Sequence, residues 1–152
     1  MLNLRRKMKL YTIGYEGKTA EDFFEALKKN EVENLVDIRI LPNHDDAMYA
    51  SKRDLPYLLN NIVGCNYTYM DNLAPTLQLL EEVHADHDFD KYTRGFSKIM
   101  KARDIPNSLD RDFFEKQTCC LLCFEAKSEF CHRRLVTNLL QKYWQGIDLT
   151  HL

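Results

Sequence analysis

The chain has little glycine, proline or tryptophan: five, four and one in 152 residues. That scarcity excludes fibrous and low-complexity classes and leaves an ordinary globular composition. No stretch approaches the roughly 20 consecutive apolar residues that span a bilayer. Met1-Leu2-Asn3-Leu4 is followed by charges instead of an apolar signal core, so a cytoplasmic protein without membrane contact is expected. Charge of one sign is missing as well. Lys plus Arg number 21 against 23 Asp plus Glu, a formal net charge of -2, which provides no global attraction for a polyanion. The one cationic run, Arg5-Arg6-Lys7 with Lys9, reads as part of a solvated N-terminal extension over residues 1–8. There is no glycine-rich phosphate loop, for Gly14 and Gly17 alone do not make one. The cysteine-phosphatase cradle is absent too, since Arg133 follows Cys131 by two residues only.

What is present suits one packed domain over residues 9–152. The length allows about two-thirds of the unfolded surface to be buried, and 45% of the residues are apolar. Five cysteines, an odd number, lie at 65, 119, 120, 123 and 131. Three of them share one apolar run, which suits reduced thiols better than a disulfide framework.

Periodicity predicts an α/β fold. Lys9–Ile13 reads as a buried strand, broken by Gly14-Tyr15-Glu16-Gly17-Lys18. Thr19 with Asp22 three residues on resembles a capping box, ahead of a stripe of Phe23, Phe24, Leu27 and Val32. Asn34–Ile40 reads as a second strand, parallel to the first through a right-handed crossover. Leu55, Leu58, Leu59 and Ile62 mark a helix ending at Gly64, and Asn66–Met70 a third strand. Residues 76–117 are mostly helical, with Leu77, Leu80 and Val83 on one helix, Phe96, Ile99 and Met100 on another, and Asp86-His87-Asp88 between them. Cys119–Phe124, apolar throughout, is the best central strand. A last helix carries Leu135, Val136, Leu139, Leu140 and Tyr143 or Trp144 and ends at Gly146, after which Ile147–Leu152 offers an edge strand. The expected architecture is a single domain with a mainly parallel β-sheet covered by helices on both faces.

Ligands of such sheets bind beyond the carboxyl ends of the strands. Candidate residues gather there: Gly14, Tyr15 and Glu16 after the first strand, Asp37 and Arg39 at the end of the second, and Glu125 with Cys131-His132-Arg133 after the cysteine-rich one. Asp37 and Arg39 share strand parity and can pair directly, either as a structural pair or as a carboxylate and a guanidinium fork poised for a phosphate. With Ser128 as N-cap, Cys131 occupies the third position of the last helix, where the helix dipole favours a thiolate; plain packing is the other reading of that thiol. Zinc on Cys123, Cys131 and His132 is set aside, because adjacent residues on a helix do not share a face, and no metal is assigned. His44, His84 and His87 fall in polar segments, and His44-Asp45-Asp46 reads as a solvated acidic loop.

Three motifs in this order resemble the domain-of-unknown-function family 488. They are Thr12-Ile13-Gly14-Tyr15-Glu16-Gly17, then Val36-Asp37-Ile38-Arg39 with Pro42, then Leu122-Cys123-Phe124-Glu125 with Cys131-His132-Arg133-Arg134. The resemblance covers residues 9 to 145. It implies a stand-alone α/β domain, and it carries the signature positions onto Gly14, Tyr15, Asp37, Arg39, Cys123, Glu125, Cys131, His132 and Arg133. The chain departs from the pattern at His44, where the family often has serine, and at Ala74-Pro75, where it often has two glycines.

Two functional readings follow. In the first, the chain is an enzyme on a phosphate-bearing or nucleotide-like substrate at the carboxyl edge of the sheet. Gly14, Tyr15, Arg39 and Arg133 bind, while Asp37, Glu125, His132 and Cys131 supply the chemistry. In the second, the same cationic pocket binds nucleic acid or a protein partner without catalysis. Asp37 and Glu125, which repel phosphate, favour the first. No cofactor and no oligomeric state are assigned.

Overall fold

Apolar side chains that alternate across a strand but repeat every three or four residues in a helix force sheet and helices into separate layers. The computed structural model describes residues 7–43 and 47–152 and has this layered arrangement. The strands are β1 (Met8–Gly14), β2 (Asn34–Asp37), β3 (Asn66–Tyr69), β4 (Cys119–Cys123) and β5 (Ile147–His151). They form one sheet in the order β3-β2-β4-β1-β5, parallel at every pairing. The cysteine-rich strand is central, as its unbroken apolar run predicts, and all five of its residues are buried.

The helices are α1 (Ala20–Lys29), α2 (Leu55–Leu58), α3 (Leu77–Asp86), α4 (Phe89–Ala102), α5 (Arg111–Glu115) and α6 (His132–Tyr143). Thr19 caps α1 by accepting the Asp22 N–H at 3.1 Å. The α2 helix runs on as a π-helical turn over Leu59–Val63, which Gly64 ends in a left-handed conformation. Two apolar layers result. Phe23, Phe24 and Leu27 of α1 and Leu55 of α2 pack with Cys120 and Leu122 on one face. Phe96 and Met100 of α4, Phe114 of α5, and Val136 and Leu140 of α6 pack with Cys119 and Leu121 on the other. Neighbouring cysteines of β4 thus face opposite layers, as expected of a doubly covered strand. Each fully buried Leu or Phe contributes about 1.5–3 kcal/mol.

Several boundaries differ from the sequence reading. The first strand starts at Met8, only 3% exposed and assigned above to the N-terminal extension; residues 1–6, with Arg5 and Arg6, lie outside the described residues. The second strand stops at Asp37 instead of Ile40, because the Asp37 carboxylate takes the Arg39 N–H at 3.1 Å and turns the chain. Ile62 and Leu77, expected on buried stripes, are 41% and 46% exposed. For Ile62 the π turn shifts the helical phase, and in α3 the packed positions are Leu79 and Val83. The His44-Asp45-Asp46 loop lies outside the described residues. No helix among the described residues is long and apolar enough to cross a membrane.

Candidate functional site

The sheet order creates a switch point. After β2 the chain moves toward β3 on the α2 face, and after β4 it moves toward β5 on the α6 face. Adjacent strands whose connections diverge leave a crevice at their carboxyl ends. A cavity of about 370 Å³ lies there. Arg39 to Leu41 line it from the turn after β2, Cys123 to Glu125 from the end of β4, Tyr15 from the turn after β1 and His132 from α6, while side chains of α3, α4 and the turn between them form the outer wall. Its walls are largely aliphatic and aromatic. Among the described lining residues, Arg39 is the one permanent cation and Glu125 the one carboxylic acid.

At its floor three polar groups converge on the Cys123 sulfur. Cys123 shares strand parity with Cys119 and Leu121, so its side chain points toward α4 and α6. Glu125 Oε2 is 3.0 Å away, His132 Nδ1 3.4 Å and the Cys131 sulfur 2.7 Å. His132 Nε2 lies 2.8 Å from the Ile38 carbonyl oxygen. A carbonyl only accepts, so Nε2 carries a proton and Nδ1 faces the thiol. Burial alone would raise the Cys123 thiol, but the Cys131 hydrogen bond and the adjacent imidazolium outweigh it and hold the thiol well below its ordinary range. Burial works against a charged His132, and the Cys123 thiolate overrides that and raises it. Burial beside the thiolate pushes Glu125 up to about 7, so its carboxyl keeps a proton to donate near neutrality. Cys131 goes up, through burial and through its role as donor to Cys123.

Cys131 is placed differently from the sequence reading. Ser128–Phe130 form a 3-10 turn, and Cys131 itself is the N-cap of α6, in extended conformation with its sulfur 3.5 Å from the Arg133 N–H. Its extended backbone is what brings it beside His132 at one point. Cys131 and His132 are adjacent in the chain but not both helical, so they do not diverge as two helical neighbours would.

Asp37 and Arg39 form the predicted ion pair, now as a turn beyond the strand. Arg39 Nε donates to Oδ1 at 2.8 Å and Nη2 to Oδ2 at 2.7 Å. Tyr67 donates to the same carboxylate, and the Arg39 guanidinium lies 5.2 Å from the centroid of the Tyr15 ring. Asp37 is fully buried and stands behind Arg39, away from the cavity lining.

Gly14 and Arg133 sit beneath the turn after β4 and not in the cavity lining. Arg133 is 1% exposed; Nη2 donates to the Ala126 carbonyl at 3.1 Å, while Nε and Nη1 are buried without a hydrogen-bond partner among the described residues. A Cβ on Gly14 would stand 1.7 Å from the Glu125 carbonyl oxygen and 2.8 Å from Arg133 Nη1. Gly14→Ala is therefore expected to push the Glu125 turn outward at a cost of about 1–3 kcal/mol. Urea denaturation reads this directly, and an unchanged midpoint would mean that the close approach is not needed.

A family model described as a domain of unknown function, DUF488, matches residues 19–140, most of the chain. The chain belongs to the DUF488 family. No curated protein and no solved structure matches it. The motif residues by which the sequence resembles DUF488 fall into two groups in space. Tyr15, Arg39, Cys123, Glu125 and His132 line the cavity, and Gly14, Asp37, Cys131 and Arg133 support them from behind.

In this DUF488 chain the ligand atoms of Cys123, Cys131 and His132 lie within 4.8 Å of one another, a donor set that suits a thiophilic ion. The spacing suits it less. A tetrahedral zinc with bonds of about 2.3 Å holds two sulfurs about 3.8 Å apart, whereas these are 2.7 Å apart. Sequence reasoning missed the outer wall of the cavity, to which α3, α4 and the turn between them contribute Leu80, Val83, His84, His87, Phe89 and Tyr92. Leu80 and Val83 read as ordinary core positions and the histidines as solvent-facing ones. The exposed histidines do stand at the cavity, which no spacing in the sequence signals.

Proposed function

We propose that this DUF488 chain is an enzyme whose nucleophile is the Cys123 thiolate, acting on a small, largely apolar ligand bound at the carboxyl edge of the sheet. The observation that carries this reading is the convergence of His132, Glu125 and Cys131 on one sulfur that faces a cavity. A thiolate is the reactive form of cysteine, and neighbouring cationic and hydrogen-bonding groups are what make one available at neutral pH. His132 is its counter-ion, oriented by the Ile38 carbonyl. Glu125, with a carboxyl at about 7, is the general acid for a leaving group. Arg39 meets an anionic group of the ligand, phosphate or carboxylate, from a position fixed by Asp37.

Of the two readings reached from sequence, the enzyme is better supported than the nucleic-acid module. Arg39 is a single cation already held by Asp37, and Arg133 is buried off the cavity, so the site itself offers one anionic group a partner but little cationic surface for a polyanion. The phosphate-bearing substrate remains a narrower form of the proposal that rests on Arg39 alone.

Alkylation of the native protein at pH 6.5, followed by peptide mapping, tests the reading. Iodoacetamide is expected to modify Cys123 first, with Cys119 and Cys120 untouched until the chain unfolds. Iodoacetate, measured relative to its rate with a free thiol, is expected to gain over iodoacetamide through Arg39. Modification of Cys123 only after unfolding would end the proposal.

A further inference from the structure

The Cys123 and Cys131 sulfurs are 2.7 Å apart, inside the roughly 3.5–4.0 Å at which non-bonded heavy atoms rest. They need approach by only roughly 0.7 Å to reach disulfide length. The two thiols are not equivalent. Both are almost fully buried, Cys123 at 2% and Cys131 at 3% exposure, but Cys123 is part of the cavity lining and Cys131 is not. They also belong to different mechanical units, Cys123 to the central strand and Cys131 to the N-cap of α6, after a turn at Ser128–Phe130. The strand holds its sulfur fixed, and the turn is the part that can adjust to bring the second sulfur in line.

We propose that Cys131 is the resolving thiol of Cys123, so that the pair cycles between dithiol and disulfide by exchange with low-molecular-weight disulfides bound in the cavity. This rests on Cys123 being the nucleophile. The Cys123 thiolate attacks one sulfur of a disulfide RSSR; the Cys123–SR bond forms, the RS–SR bond breaks, and the first RS⁻ takes a proton from Glu125. The Cys131 sulfur then attacks Cys123, the Cys123–SR bond breaks, and the second RS⁻ takes the proton that Cys131 gives up. Two protein thiols are oxidised and one RSSR is reduced to two RSH. Glu125 regains its proton from solvent, and two equivalents of a monothiol run the sequence backward. The mixed disulfide cannot persist, because the resolving sulfur already stands against the one under attack.

The test treats the reduced full-length protein with a tenfold excess of glutathione disulfide at pH 7, quenches with acid, and maps the peptides by mass spectrometry. A Cys123–Cys131 crosslink is expected with little glutathione attached, and Cys131→Ser is expected to accumulate glutathione on Cys123 at least tenfold over wild type. Wild type that accumulates glutathione on Cys123, or that leaves Cys123 free while iodoacetamide still alkylates it, overturns the resolving role and spares the nucleophile. Loss of both reactions removes both readings. Stoichiometric zinc that leaves the reduced protein only on chelation also overturns the proposal, because the thiols would then serve the ion. Wild type alone decides between crosslink and mixed disulfide, so a Cys131→Ser chain that fails to fold does not blunt the test.

Discussion

Replacing Asp37 with alanine is expected to lower the unfolding free energy by about 3–5 kcal/mol, the cost of leaving one member of a buried ion pair without the other. Asp37 is fully buried and Arg39 only 5% exposed. The carboxylate accepts from the Arg39 backbone N–H and from two of its guanidinium nitrogens, and also from Tyr67. At that depth removal strands a guanidinium and two further donors, the Arg39 N–H and the Tyr67 hydroxyl. For a domain whose total stability is roughly 5–15 kcal/mol, the variant stands close to unfolding at physiological temperature. Chemical denaturation measures the loss, and a change under about 1 kcal/mol would show that the pair is not structural. The double replacement Asp37→Leu with Arg39→Met is expected to recover part of the loss, since apolar side chains of similar volume leave no buried charge.

His132→Asn is expected to slow iodoacetamide alkylation of Cys123 at pH 6.5 by about tenfold or more. Without the imidazolium, burial governs the thiol and its pKa rises, reversing the direction seen in the intact site. Each unit by which a thiol pKa exceeds the pH removes about a factor of ten in thiolate, and the accompanying gain in nucleophilicity returns a little under half of that on the logarithmic scale. The net effect is a slower reaction at low pH and a rate that climbs with pH through the alkaline range, where the wild-type rate is already level. A variant with the wild-type profile would mean that His132 does not hold the thiolate. The Phe96 ring, 5.7 Å from His132, is left in place by this substitution, so circular dichroism should be unchanged.

The central strand, the caps and the helical stripes were legible because each depends on neighbours in the chain. Cys119–Cys123 is apolar without interruption, Thr19 sits three residues before the group it binds, and the strand-like run Lys9–Ile13 closes at Gly14, where β1 ends. The candidate site was legible only as a set of polar residues near strand ends. Where local competition decides, the pattern misleads. Residues 38–40 have strand composition, yet Asp37 captures the Arg39 N–H and ends the strand. Ser128 is a good helix cap by residue type, yet the helix begins four residues later because Cys131 takes that place.

By itself the sequence determined a parallel α/β domain, most of its core residues and the polar positions at the carboxyl edge, since period and composition act over a few residues at a time. Only the tertiary structure decided which of those positions meet. Cys123 and His132 are nine residues apart, and the Ile38 carbonyl that orients the imidazole is 94 residues from it. They come together because β2 and β4 are neighbours whose connections leave on opposite faces. The same divergence puts Arg39 in the cavity and leaves Arg133, on the far side of the turn after β4, outside it. Strand order is set by the packing of whole layers, a long-range property that no local pattern encodes.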